Sequence, residues 1–285
     1  MPDGNNIVWY PGHMAAAKRE LQKYLPLADL IIELRDSRIP LSSANPDIKD
    51  ICAHKPRLIL LTKTSLADDA RTAEFKDLLS ESADKVIPID CKTGKNVQIL
   101  PGEIKKLLSA KIEKNNEKGM TGKRLRAIVL GITNVGKSTF INTFTKTKKA
   151  KAEDRPGVTR QAQWISAGNG IELLDTPGLL WHKFDDPDVG IKLALTGAIR
   201  DEILDISFLT SELISRLREL YPRFLEERYR IKLEENDDNE TVMRKIALKR
   251  GFLVSGGETD EDRLYACLLD EFRAGKIGKI TLDRV

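Results

Sequence analysis

The chain has 285 residues, of which 41% are hydrophobic and 32% are charged. This composition supports a packed core and excludes a disordered chain, and the length favours two domains. No apolar run reaches the ~18 residues of a membrane span, and the three scattered cysteines exclude a disulfide scaffold or a zinc knuckle, so we expect a cytoplasmic protein with no membrane contact.

The first 180 residues alternate short apolar runs with amphipathic stretches, a pattern typical of an α/β sheet. Runs such as LIIEL and AIVLG are apolar on both faces, as in buried parallel strands. Strands are predicted over residues 30–34, 57–61, 86–90, 127–131, 163–167 and 171–175. Helices are predicted near residues 14–24, 68–82, 97–115 and 137–146.

Beyond about residue 180 only helical periodicity remains. Helices are predicted in ELISRLREL, ERYRIKLEE, TVMRKIALKRG and EDRLYACLLDEF, with a break at SGG, residues 255–257. We therefore predict an α/β domain with an N-terminal arm over residues 1–184 and an all-helical domain over residues 185–285.

The net charge of +4 is unevenly distributed. Residues 102–160 contain 15 lysines and arginines against 5 acidic residues, so the rest of the chain is acidic. A basic segment in an acidic protein indicates a polyanionic partner, with nucleic acid as the leading candidate. The alternative is a solvated linker whose lysines serve solubility.

GITNVGKS, residues 131–138, fits the phosphate-binding pattern G-x-x-x-x-G-K-[ST] between a predicted strand and a predicted helix. In such a P-loop the backbone N–H groups surround the phosphates, the lysine reaches the β- and γ-phosphates, and the serine hydroxyl binds Mg²⁺. A chance match is expected in about 1% of chains of this length. The predicted nucleotide contacts are Asn134, Val135, Gly136, Lys137, Ser138 and Thr139.

Two further motifs follow in the order expected of a P-loop enzyme. LLDTPG ends a strand with Asp175, whose carboxylate suits Mg²⁺, and the Gly178 N–H suits the γ-phosphate. Thr159 of DRPGVT lies between these motifs and suits a second Mg²⁺ hydroxyl. Each motif alone is a common turn, but their order predicts a Mg²⁺ site of Ser138, Thr159 and Asp175, with Lys137, Thr159 and Gly178 in catalysis.

The base-recognition pattern [NT]-K-x-D has its only candidate in LLTKTS, which precedes the P-loop instead of following it, and VIPIDCKTG comes next. A sheet can survive such a rotation because the termini of compact domains often lie close together. The prediction is a circularly permuted P-loop GTPase domain with GTP as substrate. The predicted base contacts are Thr62, Lys63, Thr64, Ser65, Asp90 and Cys91.

With these motifs the chain resembles the bacterial ribosome biogenesis GTPase A family, the YlqF type, from Trp9 onward. The specific marks are the permuted order, NVGKS, DRPGVT, WYPGHM, DSRIP, DTPGLLW and LTGAIRDE. The resemblance implies a Mg²⁺-dependent GTPase that binds the large (50S) ribosomal subunit through its rRNA and assists late maturation. It also implies an RNA-binding helical C-terminal module, stimulation of a weak intrinsic activity by the subunit, and no DNA partner.

The water-positioning glutamine that is familiar near D-x-x-G is absent, and Leu179 and Leu180 stand there instead. The chain must therefore place its attacking water in another way, and the resemblance suggests how. Asn134 resembles the K⁺ ligand of potassium-stimulated relatives. His13 of the N-terminal arm resembles a histidine that swings into the site on the ribosome. Without the resemblance, His13 is an ordinary exposed loop histidine.

One position departs from the family pattern, whose base motif ends in aspartate where this chain has Ser65. A serine cannot accept hydrogen bonds from both the N1–H and the 2-amino group of guanine, so the chain is expected to lose ~1–3 kcal/mol of its preference for guanine over other bases. Asp68 or Asp69 would substitute if the loop is shifted. At Cys91 relatives usually carry serine or alanine, and the backbone N–H contacts guanine O6.

The alternatives to a GTPase assembly factor are an NTPase of relaxed specificity and an RNA-binding scaffold with a structural nucleotide site.

Overall fold

A computed structural model describes residues 19–46, 48, 54–146, 163–176 and 186–285. Three of the predicted site residues, His13, Thr159 and Gly178, lie outside these ranges. The account of the fold below concerns the described residues.

Six strands form one sheet in the order β3-β2-β1-β4-β6-β5. Every neighbouring pair is parallel except β5 with β6, which places an antiparallel strand at one edge. The predicted strands are confirmed, with ends shifted by at most two residues. They are β1 (Leu30–Asp36), β2 (Arg57–Thr62), β3 (Lys85–Pro88), β4 (Leu125–Gly131), β5 (Gln163–Ser166) and β6 (Ile171–Asp175).

The helices that connect the strands agree with the sequence pattern except at one break. Residues 97–115 were predicted as one helix, but two are found, because Leu108 at the junction has φ −105° and ψ 18° and interrupts the helical backbone. The helices are α1 (Asp69–Ser80), α2 (Leu100–Leu107), α3 (Ser109–Glu117) and α4 (Lys137–Thr145). Of the helix predicted near residues 14–24, residues 19–24 are helical, and residues 14–18 lie outside the described ranges.

From residue 186 to Arg273 the regular elements are helices, as predicted, and an isolated bridge joins Leu253 to Thr259. The helices are α5 (Pro187–Leu195), α6 (Ile206–Leu220), α7 (Pro222–Tyr229), α8 (Asn239–Arg250) and α9 (Glu261–Arg273). The helix predicted through residue 235 was wrong beyond Tyr229. Arg230 adopts a left-handed conformation with φ 53°, which ends α7.

One apolar core connects the sheet with these helices. Leu34 and Leu60 of the sheet belong to the same buried cluster as Leu213 of α6 and Phe272 of α9. After α9, residues 274–285, which we call the C-terminal tail, return to the sheet, where the Leu282 N–H donates to the Arg38 carbonyl oxygen at 2.7 Å. Among the described residues, no helix has the length and apolar character needed to cross a membrane.

The topology also predicts where a ligand binds. Strands β1 and β4 are neighbours, yet the chain continues from β1 to β2 on one side and from β4 to β5 and β6 on the other. In open parallel sheets such a switch point leaves a crevice beyond the carboxyl ends of the strands. The candidate site therefore lies beyond the carboxyl ends of β1, β2, β4 and β6.

Candidate functional site

The P-loop connects β4 directly to α4. Gly136, which precedes α4, has φ 101°, a left-handed conformation that favours glycine. Successive backbone N–H groups in a turn of this kind can bind an anion. The Lys137 ammonium donates to the carbonyl oxygens of Gly131 at 3.0 Å and Ile132 at 2.7 Å, so it folds over its own loop. Phosphate oxygens offer this ammonium stronger, charged acceptors.

Asp175 at the end of β6 fits a divalent cation. Its side chain is buried, and within the described part of the chain its Oδ1 has no hydrogen-bond partner. Burial raises the pKa of Asp175 and lowers that of Lys137 to about 8, and each shift is opposed by the charge of the other residue. A buried carboxylate oxygen that lacks a donor is suited to a metal ion.

The donors near the P-loop are those that Mg²⁺ prefers, namely carboxylate and hydroxyl oxygens. Asp175 at the end of β6 and Ser138 on the first turn of α4 would hold the ion. Thr159, the third predicted ligand, lies outside the described residues. Bound Mg²⁺ would neutralise charge on the β- and γ-phosphates of a nucleotide. Thr139, next along α4, is exposed toward solvent.

The base motif at the end of β2 lies against the P-loop. The Thr62 hydroxyl donates to the Val135 carbonyl oxygen at 2.8 Å, and Lys63 Nζ donates to the Asn134 carbonyl oxygen at 2.6 Å. Lys63 itself has a left-handed φ of 58°. The two motifs therefore lie together in space although the base motif comes first in the chain, as the permuted order requires.

Asp90 joins the second base loop to the first. Its Oδ2 accepts the Ser65 N–H at 3.0 Å, and the Ser65 hydroxyl bonds to the same carboxylate. Its Oδ1 accepts the N–H groups of Lys92 at 2.9 Å and Thr93 at 2.8 Å. Burial acts to raise the pKa of Asp90, but these bonds hold it below its ordinary value. The carboxylate is engaged by the protein, so it positions Ser65.

Two further predicted base residues flank this contact. The Thr64 hydroxyl donates to the Ile89 carbonyl oxygen at 3.3 Å, which adds a second link between the two base loops. Burial raises the pKa of the half-buried Cys91 thiol to about 12, so this side chain stays protonated and apolar. The backbone N–H of Cys91 remains the predicted contact to the base.

The structure argues against Asp68 or Asp69 as replacements for the missing aspartate. Asp68 caps α1, where its Oδ1 accepts two backbone N–H groups at 2.9 and 3.2 Å. Asp69 pairs with Lys279 at 2.6 Å. Both carboxylates are occupied away from Ser65, so a shifted loop is not what the structure shows.

A buried ionic cluster after β1 was not assigned a role from the sequence. Asp36 binds Arg38 at 2.7 Å and Lys63 at 2.9 Å. Burial alone would raise the pKa of Asp36, but the two cations hold it well below the usual range. Asp36 is therefore ionised and anchors the base-motif lysine. The sequence feature that could have indicated this role is the position of Asp36 at the carboxyl end of a central strand, next to the strand that leads into the P-loop.

The segment LTGAIRDE contacts the P-loop, a contact that the sequence did not predict. Asn134 Nδ2 donates to the Gly197 carbonyl oxygen at 2.8 Å, and the Thr133 hydroxyl donates to the Ala198 carbonyl oxygen. The loop that follows α5 is thus held by the phosphate-binding loop itself.

Comparison with known proteins agrees with this geometry. A family model described as "50S ribosome-binding GTPase" matches residues 126–231, which include the P-loop and Asp175. Ribosome biogenesis GTPase A of Bacillus cereus is 43% identical over 277 residues, covering 97% of this chain and 93% of the relative. The chain belongs to the ribosome biogenesis GTPase A family. It is a GTPase whose substrate is GTP, and Mg²⁺ is the metal typical of such enzymes.

The family likeness extends over the whole architecture. YlqF from Thermotoga maritima, solved in a GNP-bound form, has a TM-score of 0.63 at 26% identity and covers 94% of this chain and 98% of that structure. The mitochondrial ribosome-associated GTPase 1 of Xenopus tropicalis is 31% identical over 295 residues, covering 96% and 94% of the two chains. This family member thus has the predicted fold, a circularly permuted P-loop GTPase domain followed by helices.

The Ser65–Asp90 contact leads to a prediction about this GTPase. We expect the double substitution Ser65→Asp with Asp90→Asn to tighten GDP binding about tenfold, or ~1.4 kcal/mol. The new carboxylate can accept both guanine donors through charge-assisted bonds. Ser65→Asp alone should gain less, because its carboxylate would lie beside that of Asp90. Calorimetric titration of GDP into the four forms of this cycle measures both effects.

Asp90→Asn alone is the reference for the double variant and should not bind GDP more tightly than the wild type, because the amide keeps one acceptor oxygen and places an NH₂ donor against the N–H groups that the other oxygen accepts. Unchanged affinity in the double variant would show that groups other than residue 65 hold the guanine edge.

Proposed function

We propose that this GTPase is an assembly factor for late maturation of the large (50S) ribosomal subunit and binds its rRNA in a nucleotide-dependent way. The observation that carries the proposal is the contact between the P-loop and the chain entering the helices. The matching family is described as 50S ribosome-binding, and the Xenopus tropicalis relative is named ribosome-associated.

The loop after α5 links the nucleotide site to the last helix. Asn134 holds it from the P-loop side through Gly197. From the other side Arg273 of α9 donates to the Leu195 carbonyl oxygen at 3.1 Å and pairs with Asp201 at 2.6 Å. A rearrangement of the P-loop on binding the γ-phosphate would reach the helices through this loop. Hydrolysis would then change how the helices are presented to RNA.

Within the site, the proposed roles follow the motifs. Lys137 binds the β- and γ-phosphates, and the Gly178 N–H senses the γ-phosphate. Ser138, Thr159 and Asp175 hold Mg²⁺. The base is read by residues 62–65 and 90–91. In support, the YlqF relatives were solved with GDP and with GNP bound.

Two roles rest on the family resemblance. Asn134 would contribute an oxygen to K⁺, which would offset the phosphate charge that develops during hydrolysis. His13 would place the attacking water once the protein is docked on the subunit, so that the subunit stimulates a weak intrinsic activity. A cytoplasmic location is part of the same proposal.

The RNA-binding surface would combine the helices of residues 185–285 with the basic face of α2 and α3. Lys105 of α2, Lys114 of α3 and Lys118, which follows α3, are exposed, and no ion pair joins them to other described residues. Other basic residues of the 102–160 segment are partly neutralised, such as Lys106 by Glu103 at 2.9 Å. The unpaired lysines are therefore the ones available to phosphates.

The deciding experiment is cosedimentation with immature large subunits. We expect retention with a non-hydrolysable GTP analogue and release with GDP. The Lys137→Ala variant is the control, since without tight nucleotide binding it should sediment equally under both conditions. Equal retention of the wild type with either nucleotide would refute nucleotide-dependent binding.

The charge argument makes a separate prediction about salt. The affinity for an rRNA fragment should fall by at least ~10-fold between 50 and 200 mM salt, because each phosphate contact releases a counterion. Replacing Lys105, Lys114 and Lys118 by alanine should reduce the slope of log affinity against log salt by about 3. Filter binding across a salt series measures both. An affinity for RNA that does not change with salt concentration would contradict the inference that the basic segment binds a polyanion.

Ser65 supports a second candidate, an NTPase of relaxed specificity. A serine at this position, bonded to Asp90, offers guanine less than the family's aspartate does. Competition binding of GTP, ATP and XTP separates the two. Equal affinities would favour the relaxed enzyme.

A further inference from the structure

The C-terminal tail lies against the loop that carries Ser65. The Leu66 carbonyl oxygen accepts the Ile280 N–H at 3.0 Å, and the Asp68 N–H donates to the Thr281 hydroxyl oxygen at 3.2 Å. Leu66 directly follows Ser65. The backbone on the downstream side of the base motif is thus hydrogen-bonded to residues more than 200 positions away.

The packing between the tail and this loop is also tight. A Cβ atom added at Gly275 would lie 2.7 Å from Leu66 Cδ2, which is closer than side-chain contacts allow. The Tyr221 hydroxyl of the α6–α7 junction lies 3.2 Å from Asp68 Oδ2 and accepts the Thr281 N–H at 3.2 Å. Tail, helices and base loop therefore meet at Thr281, which is fully buried.

The same tail binds the chain that follows β1. The Thr281 hydroxyl donates to the Ser37 carbonyl oxygen at 3.2 Å. Two residues later, the Asp283 carboxylate accepts the N–H groups of Leu41 at 2.7 Å and Ser42 at 2.9 Å. This segment directly follows Asp36, the last residue of β1, which pairs with Lys63. The tail thus connects the base loop to the element that holds the base-motif lysine.

We propose that the C-terminal tail positions the guanine-recognition loop, with Thr281 as the main positioning residue. The inference rests on the proposed assignment of residues 62–65 to the base. The loop is bonded to Asp90 on one side and to the tail on the other, so it is ordered before nucleotide arrives. A preorganised loop loses less conformational entropy on binding, and this gain concerns the base alone, not the phosphates.

The test compares Thr281→Val with Thr281→Ser. Valine keeps the shape but removes the hydroxyl, so GDP affinity should fall about fivefold while ADP affinity changes by less than about twofold. Serine keeps the hydroxyl and should restore the wild-type ratio of GDP to ADP affinity. Calorimetric titration of both nucleotides gives the ratio, and thermal unfolding reports stability.

Thr210→Val is the matched control, because Thr210 is equally buried and, among the described residues, its hydroxyl bonds only to the Ile206 carbonyl oxygen of its own helix, at 2.8 Å. It should lower the melting temperature without changing the GDP/ADP ratio. Tyr221→Phe removes the hydroxyl beside Thr281 and Asp68 and should lower the ratio in a variant that retains the ring.

The possible outcomes distinguish a failure of this inference from a failure of the assignment of residues 62–65 to the base. If Thr281→Val and Tyr221→Phe melt at lower temperature but keep the wild-type ratio, the tail is structural only and the inference is wrong. If the wild type itself shows no preference for GDP over ADP, residues 62–65 do not read guanine, and the proposed site fails instead.

Discussion

Lys137→Ala should weaken GTP binding by at least ~100-fold, or about 3 kcal/mol. The Lys137 ammonium is buried and bonded to two neutral carbonyl oxygens of its own loop. Phosphate oxygens would replace these acceptors with charged ones, so the interaction strengthens when nucleotide binds. Titration with a fluorescent GTP analogue in Mg²⁺ measures the loss.

Lys146→Ala is the control for this substitution, since Lys146 is an exposed lysine just after the other end of the same helix. It should leave GTP affinity unchanged. Wild-type affinity in Lys137→Ala would contradict the assignment of residues 131–138 as the phosphate site.

Asp175→Asn should remove most of the Mg²⁺ dependence of GTP binding and lower the hydrolysis rate by about 100-fold. The substitution keeps the shape of the side chain but removes the charge from the buried oxygen, to which no described residue donates a hydrogen bond. Because burial already disfavours the ionised form, the neutral amide should not lower the melting temperature of the metal-free protein. GTP titrations at several Mg²⁺ concentrations, with thermal unfolding in a chelator, separate metal binding from stability.

Ser138→Ala should act in the same direction, because it removes the second proposed ligand. Thr143→Ala, on the same helix and bonded to the Thr139 carbonyl oxygen at 2.8 Å, should not. A GTP affinity of Asp175→Asn that rises with Mg²⁺ as steeply as in the wild type would place the metal elsewhere.

Local chemistry explains what could be predicted of the fold. Strands β1 and β4 are buried on both faces of a parallel sheet, and the apolar runs at residues 30–32 and 127–130 that this burial requires are visible in one dimension. The errors lie where the local backbone departs from its periodicity. Leu108 and Arg230 interrupt helices whose apolar spacing continues past them.

By itself the sequence determined the P-loop, its place between strand and helix, the permuted order of the motifs and hence the family. These features depend on residue type and spacing within short segments, where the chemistry of phosphate binding allows few alternatives. The same reasoning identified Ser65 as a departure from the family motif.

Only the tertiary structure decided the partners of these residues. Asp36 pairs with Lys63, and Asp90 accepts a hydrogen bond from Ser65. The Gly197 carbonyl oxygen accepts one from Asn134, and the Thr281 hydroxyl accepts one from Asp68 in the base loop. Each contact joins segments that are distant in the chain, and a hydrogen bond between two loops leaves no periodic trace in either one. Which buried polar groups pair is set by the packing of the sheet and helices, because each must find a donor or acceptor in the folded interior.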